Sequence, residues 1–522
     1  MKFNKATFGA VAIATALSVV GFAPATNAAP SSSAAAQAQY VAAGTGQGSH
    51  IVVLKSTANV ETQISKVTGK GIKVFDKFSR VLKGFAADLS ANQLAALKAD
   101  PAVKYIERNP VVSISGSDYQ GTEAVGDLWG LDRIDGTAAI NLEDPGTPGT
   151  DQEYHFDTTA PDVTAYVIDT GILSTHSELA GRVRSGTSTV KGPFTTEDCE
   201  GHGTHVAGTI GGTNYGVAKQ VQLVAVRVLN CRGTGTGAGV IAGMDWTITD
   251  KANNGITKAV ANMSLGGGFS QAENDAAAAM VSAGIVLVVA AGNESSDAST
   301  HSPASAPEAI TVAAASFRDK LASFSNYGSL IDIAAPGSAI LSSVIGSNTA
   351  TGVYSGTSMA SPHVAGAAAL LLQGGTAAAD VDATLKANAQ SGVILPNAAA
   401  IAAGATGNLP MLQTKAQSNV AVADPGVSAP GQPTNLIATA GRKGKVTLTW
   451  ASSGDAATTY WLYEIPCSDP TKFGIYALPA GATTFTATTG LTAGTVVTYK
   501  IVAFNRAGSS AFSAETGPVT IK

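Results

Sequence analysis

Four residues carry the chemistry this sequence can do: Asp169, His202, Asn293 and Ser358. Ser358 lies in Gly356-Thr357-Ser358-Met359-Ala360-Ser361-Pro362-His363-Val364-Ala365-Gly366, ahead of an apolar run from Ala365 to Leu372 that reads as a buried helix. A hydroxyl at such a helix N-terminus sits beside unpaired N–H groups and the positive end of the dipole, where a developing oxyanion is stabilised. Serine is also a favoured N-cap, so this stretch alone does not separate a nucleophile from a cap. The separation rests on a base, a carboxylate to orient it and a second oxyanion donor.

His202 sits in Gly201-His202-Gly203-Thr204-His205-Val206-Ala207-Gly208. Its flanking glycines allow close backbone approach, and a neutral imidazole can take a serine proton. Zinc binding through His202 and His205 is disfavoured, because the metalloprotease helix needs His-Glu-x-x-His and no glutamate stands between them. His205 therefore reads as structural. Asp169 ends the apolar run Ala165-Tyr166-Val167-Ile168, where a carboxylate is held rigidly and suits the orienter of an imidazole. A turn-capping aspartate is the plain alternative. The aspartic-protease reading of Asp169-Thr170-Gly171 needs a second such motif, which the sequence lacks. Asn293 ends the run Ala290-Ala291-Gly292-Asn293; alone it is a turn residue, but a fixed amide at a strand end can also donate to an oxyanion.

The order Asp, His, Ser is that of subtilisin and not of the α/β-hydrolases, and Ala360 replaces the second glycine of the hydrolase elbow. Elements that could hold these residues alternate along the chain. Short apolar runs at 163–168, 221–228, 259–263, 285–290 and 310–314 suit strands covered on both faces, with helices over 203–211, 237–247, 271–283 and 361–372 between them. An α/β domain with a parallel sheet and a site at the strands' C-terminal ends follows.

Ahead of it, strands at 50–54, 72–78, 82–89 and 103–107 alternate with helices at 60–67 and 90–98, the β-α-β-β-α-β order of a ferredoxin-like unit. Behind it, Lys445 to Trp450 and Val497 to Ala503 read as sandwich strands. The first residues show a basic start (Lys2, Lys5), an apolar stretch Ala10 to Phe22 too short to span a bilayer, and small residues at Ala25 to Ala29, a secretory signal peptide. The expected domains are a signal peptide at 1–29, a small unit at 30–120, the α/β domain at 121–403, a linker at 404–428 and a β-sandwich at 429–522. With charged residues at 13%, a net charge of −5 and no basic block, nothing suggests nucleic-acid binding, and no downstream run spans a membrane.

Residues 129 to about 400 resemble the subtilisin-like serine proteases of the proteinase K and aqualysin branch. Beyond the Asp169, His202 and Ser358 motifs, Val228-Leu229-Asn230-Cys231, Ala242-Gly243-Met244-Asp245-Trp246 and Asn262-Met263-Ser264-Leu265-Gly266-Gly267 carry the likeness. Lys83 to Ala87 and Val103 to Glu107 resemble the family's inhibitor-type propeptide, and residues around Asn505-Arg506-Ala507-Gly508 a fibronectin type III domain, with Val497 where its corner tyrosine usually stands.

The resemblance implies that Ser358 is the nucleophile, His202 the base, Asp169 its orienter and Asn293 an oxyanion donor. It implies that Ser264, Leu265 and Gly266 with Ala290, Ala291 and Gly292 wall the S1 pocket, and that Gly233, Thr234 and Gly235 pair with substrate. These walls are small and carry no carboxylate, so an apolar or aromatic P1 residue is expected. It further implies a Cys199–Cys231 disulfide and a calcium ion held by Asp332 and the carbonyls of Pro307 and Ala309; Cys467 has no second cysteine in its own domain. The expected protein is a secreted monomeric endopeptidase whose propeptide chaperones and inhibits it. Self-cutting is expected between about Asn109 and Leu128, and the sandwich is expected to engage a surface or polymer. The rival is a silent binding scaffold, which has no need of all four site residues.

Overall fold

The computed structural model describes residues 48–522 except 116, 119–127, 137–153, 191, 193–194, 318, 405–407, 415–430, 442–444, 452–458, 468–473, 479–481, 489–491, 506–507 and 511–512. The expected signal peptide and most of the spacer after it lie outside the described residues.

The first unit has the expected order: β1 (His50–Leu54), α1 (Val60–Thr68), β2 (Lys73–Phe78), β3 (Gly84–Asp88), α2 (Ala91–Lys98) and β4 (Val103–Arg108). The strands form one antiparallel sheet, β2-β3-β1-β4. Ser90 caps α2 in a capping box with Gln93, satisfying two N–H groups the helix cannot. One sheet face buries Val52, Leu54 and Phe85 against Val67 and Leu97 of its own helices. The other sends Ile51, Val53, Phe78 and Val81 into the core of the α/β domain. This second face is therefore an interface.

A tail follows, with β5 (Val111–Ile114) and β6 (Ser117–Asp118), then α3 (Trp129–Asp135). The large domain contains β7 (Thr164–Asp169), β8 (Val183–Ser188), α4 (His202–Gly211), β9 (Gln222–Arg227), β10 (Thr234–Thr236), α5 (Gly237–Asn253), β11 (Ala259–Met263) and β12 (Leu265–Gly268). It continues with α6 (Gln271–Ser282), β13 (Val286–Ala290), β14 (His301–Ser302), β15 (Ile310–Ala315), β16 (Ile333–Pro336), β17 (Ile340–Ser343), β18 (Thr351–Ser355) and α7 (Thr357–Gln373). Helix α8 (Val381–Asn388) precedes β19 (Gln390–Ile394) and β20 (Leu409–Met411).

Nine strands make the central sheet, β19-β20-β16-β15-β13-β11-β7-β9-β8, parallel except for the β19–β20 edge. Its central strands β11, β13, β15 and β16 are buried at every position and largely apolar because both faces are covered, whereas the edge strands β8 and β19 carry polar, partly exposed residues. In β7, Ala165 and Val167 face the core that contains Val206 of α4 and Met359 and Val364 of α7. Tyr166 and Ile168 face the core that contains Ile241 and Met244 of α5 and Met280 of α6. The alternation of a strand's side chains thus fixes helices on both sides.

Two expectations need correction. The linker was placed from residue 404, yet Leu409–Met411 adds a strand to the sheet, with Leu412 and Gln413 buried beyond it. A Gly- and Ala-rich stretch with one short apolar triplet gives no period to read, and the strand is specified by the open edge of β16. Helix α7 also begins at Thr357, so Ser358 lies inside its first turn and Gly356 takes the cap position.

At the C-terminus, one sheet holds β21 (Thr434–Ala440), β22 (Lys445–Ala451) and β25 (Thr484–Thr488). The facing sheet holds β23 (Thr459–Pro466), β24 (Gly474–Leu478), β26 (Val496–Asn505), β27 (Gly508–Ser509) and β28 (Val519–Thr520). Val446, Leu448, Trp450, Tyr460, Leu462, Tyr499 and Ile501 fill the space between them. Val497 is buried there and carries no hydroxyl, while Tyr499 donates its hydroxyl to Glu464 at 2.7 Å.

Candidate active site

The site collects at the C-terminal ends of the central strands, where β7 and its neighbours diverge. Asp169 closes β7 and is fully buried. His202 opens α4, and its Nδ1 stands 2.9 and 3.0 Å from the two Asp169 oxygens. A methyl built on Gly203 would lie 2.2 Å from the Gly171 carbonyl oxygen, so only glycine lets this helix start against the Asp169 turn. Thr170 N–H donates to Asp169 Oδ1 at 2.7 Å, fixing the carboxylate's rotation.

Asp198 and Thr170, which sequence reasoning missed, hold the histidine loop. Asp198 Oδ1 accepts from Thr170 Oγ1, Glu200 N–H and Gly201 N–H, and its Oδ2 accepts from Thr204 N–H and Oγ1. An aspartate followed closely by glycine is a turn signal that could have found it. His205 is structural as expected: its Nε2 bonds the Ile340 carbonyl at 2.9 Å, and burial brings its pKa down to about 3.

Ser358 Oγ donates to the Ser264 carbonyl at 3.0 Å, while His202 Nε2 is buried without a protein partner. The serine must therefore turn from Ser264 toward Nε2 to give up its proton. Asn293 follows β13, and its Oδ1 accepts both the N–H and the hydroxyl of Thr357, each at 2.9 Å. That anchoring leaves Nδ2 as the amide's donor for the cleft.

The tail fills this cleft. Strand β5 lies between β10 and β12, antiparallel to both, pairing Ser113 with Thr234 and with Gly266. Ile114 N–H donates to the Gly233 carbonyl, and Ser115 N–H to Ser264. The Ser115 carbonyl accepts from Ser358 N–H at 3.1 Å, the donor an oxyanion would use. Beyond it, β6 pairs Ser117 and Asp118 with Ser355 and Tyr354 of β18. The chain is thus held as a strand on both sides of the bond that follows Ser115. Among the expected wall residues, Gly266 faces the Ser115 side chain, a methyl on it lying 3.9 Å from Oγ. Val112 is 1% exposed beside Gly235 and Gly267, burial that contributes about 2 kcal/mol.

One wall departs from expectation. Gly292, at φ +101, has the Glu294 carboxylate beside it, where a methyl would meet Oε2 at 2.5 Å. Glu294 Oε2 also accepts from Asn326 at 2.7 Å, so this acidic group beside the expected S1 wall is partly engaged.

The imidazole of His202 is tuned by acidic neighbours. Burial lowers its pKa, but the charge and hydrogen bond of Asp169, with Glu200 and Asp198, outweigh this and raise it above 6.5. As a general base this imidazole would work only when neutral, so kcat/KM should fall below a midpoint higher than an ordinary histidine's. Glu200 Oε2 accepts His202 N–H at 2.8 Å. Glu200→Gln keeps an acceptor there and removes the charge, so this acid limb is expected to move to lower pH, read from a kcat/KM profile.

Cys199 and Cys231 form the implied disulfide across a separation of 32 residues, worth between 3 and 4 kcal/mol, approximately, on a chain-entropy view. It ties the Asp198 loop to the turn before β10, and Arg227 Nη2 lies 3.1 and 3.5 Å from the two sulfurs. Cys467 is unpaired and exposed.

The implied calcium site does not fit these residues. Asp332 Oδ1 pairs with Lys386 Nζ at 2.6 Å, and Oδ2 accepts Thr311 N–H at 2.8 Å. A cation already neutralises the carboxylate that was to bind calcium beside the Pro307 and Ala309 carbonyls. Among the described residues, no group of three or more His, Cys, Asp or Glu could hold a metal.

Residues 161–425 match the model of the Subtilase family and residues 49–115 that of the Peptidase inhibitor I9. The chain is 45% identical over 321 residues to an extracellular serine proteinase of Thermus sp. (strain Rt41A), covering 61% of this chain and 74% of the relative. It is 46% identical over 303 residues to a subtilisin-like protease of Coccidioides posadasii (strain C735), covering 58% and 72%. Alkaline serine exoprotease A of Vibrio alginolyticus is 44% identical over 328 residues, covering 62% and 58%. A crystal structure of a cold adapted subtilisin-like serine proteinase matches at 42% identity and TM-score 0.49, covering 56% of this chain and 100% of the other.

Proposed function

The chain belongs to the subtilase family of serine proteases, and from that premise we propose a secreted endopeptidase that first cuts its own precursor between Ser115 and Gly116. The observation that carries this is the Ser115 carbonyl on Ser358 N–H, with the tail paired on both sides of the cut.

In the proposed reaction Ser358 Oγ attacks the carbonyl carbon as its proton passes to His202 Nε2. The oxyanion accepts from Ser358 N–H and Asn293 Nδ2. Collapse breaks the C–N bond, and His202 returns the proton to the leaving amine. Water, deprotonated by His202, then hydrolyses the ester and restores Ser358. Asp169 keeps the Nδ1 proton in place and stabilises the imidazolium.

The tail also suggests how substrates are chosen. Its P4 side chain, Val112, is buried deeply, while its P1 side chain, Ser115, is small for a pocket walled by glycines and alanines. A peptide library on the processed enzyme is expected to show apolar or aromatic P1 and a branched aliphatic P4. Glu294 adds acceptance of Lys at P1 without making it preferred. A ranking led by Lys or Arg at P1 would overturn the apolar reading.

We read residues 429–522 as a fibronectin type III domain on its three-stranded and five-stranded sheets, and assign it to a surface or polymer. Structural calcium is common in subtilisins. Here Lys386 takes the part of a cation at Asp332, and no step is routed through a metal.

A further inference from the structure

The face joining the propeptide to the protease contains a carboxyl pair, one member fully buried and the other half-buried, that the reaction does not use. Glu273, in the first turn of α6, is 0% exposed, and neither carboxyl oxygen has a hydrogen-bond partner in the protein. An ionised carboxylate left so is costly, so the group is stable there only as the acid. Its environment comes from the propeptide and tail. A methyl built on Gly237 would lie 2.8 Å from the Pro110 ring and 2.9 Å from Glu273 Oε1, so ring and carboxyl share one gap at the start of α5.

Glu107 of β4 is the ionisable group facing Glu273. It accepts from Ser270 Oγ at 2.5 Å and from Ala272 N–H at 3.3 Å, bonds at the α6 N-terminus that favour its anion, although burial outweighs them and leaves its pKa raised. Asp275, two residues along α6, is turned to Lys104 and Tyr105, and from α5 and the tail the uncharged Gly237 and Pro110 approach. Asn109 and Pro110 satisfy Ala238 N–H and Gly237 N–H of α5. The starts of both helices are thus covered by propeptide groups, and undocking opens them to water.

We propose that the Glu107–Glu273 pair makes docking of the propeptide take up one proton, so that rising pH releases it. This rests on the reading of residues 49–115 as a detachable propeptide. Burial, with the Glu107 charge, pushes Glu273 up to about 8 in the docked state, against an ordinary carboxylate value once it is wet. A docked pKa above the undocked one gives stabilisation that is complete below the undocked value. It is lost as pH rises through the docked one.

The test uses the full chain carrying Ser358→Ala, which cannot cut itself, with and without Glu273→Gln. Added trypsin cuts after Arg108 when the propeptide lifts, and the ratio of the two chains' cutting rates removes trypsin's own pH dependence. Between pH 6 and pH 8 that ratio is expected to rise at least about tenfold. A flat ratio overturns the proposal. Glu273→Leu, which fills the same space without a titrating group, must follow the Gln chain; if it instead follows Glu273, the proposal also falls. Loss of self-cutting in the active chain would overturn only the Ser115–Gly116 reading, since this assay does not need it.

Discussion

Ser358→Ala is expected to lower peptide hydrolysis by about a millionfold, the loss found when the nucleophile of subtilisin itself is removed. The substitution deletes the atom that must bond to the carbonyl carbon. Ser358 N–H and the fixed amide of Asn293 remain, so residual turnover over water should persist at the low level an oxyanion site alone supports. The same chain should accumulate uncut, with β5 still in the cleft, because the hydroxyl that would attack the Ser115 carbonyl is gone. Two measurements check this. A serine-directed fluorophosphonate should label the parent and not the variant, and N-terminal sequencing of the processed parent should begin at Gly116. A variant secreted already cut at Ser115 would assign processing to another protease.

Asp169→Asn is expected to cost about ten-thousandfold in kcat with little change in fold. The structure says why. Thr170 N–H donates to Oδ1, so the asparagine carbonyl takes that side and its NH2 group takes the place of Oδ2, 3.0 Å from His202 Nδ1. An amide donor there lets Nδ1 accept, in competition with donation to the carbonyl left at Oδ1, 2.9 Å away, and the accepting tautomer carries its proton on Nε2. That nitrogen then cannot accept the Ser358 proton. The defect is one of tautomer and not of ionisation, so kcat across the neutral range should not return to the parent value as pH rises. Full recovery in mild alkali would mean that Asp169 acts through charge alone.

Much of this site was legible in the sequence because its residues end strongly apolar runs. Asp169, Asn293 and Ser264 each stop a strand that has no choice but to be buried, and His202 and Ser358 each start a helix rich in small residues. The propeptide's six elements were equally plain, since its periods are regular and Ser90 marks a helix start. What escaped has a common cause: it depends on partners far away in the chain. Strand β20 exists because β16 offers an edge. Asp332 looked like a calcium ligand until α8 brought Lys386 to it. Glu294 reaches the expected S1 wall only through the turn at Gly292, and Glu273 becomes unusual only when Glu107 and Pro110 close over it.

The β20 strand also sets where this protein can be shortened. Leu409–Met411 is hydrogen-bonded between β16 and β19, and Thr414 N–H still reaches the carbonyl of Ile134 in the last turn of α3. A proteolytic nick beyond Thr414 leaves the nine-stranded sheet whole, with Val502 and Ile465 of the sandwich still packed against the protease core. One before Leu409 pulls a strand from the sheet and exposes a row of unpaired N–H and C=O groups on β16, a template for joining two molecules edge to edge.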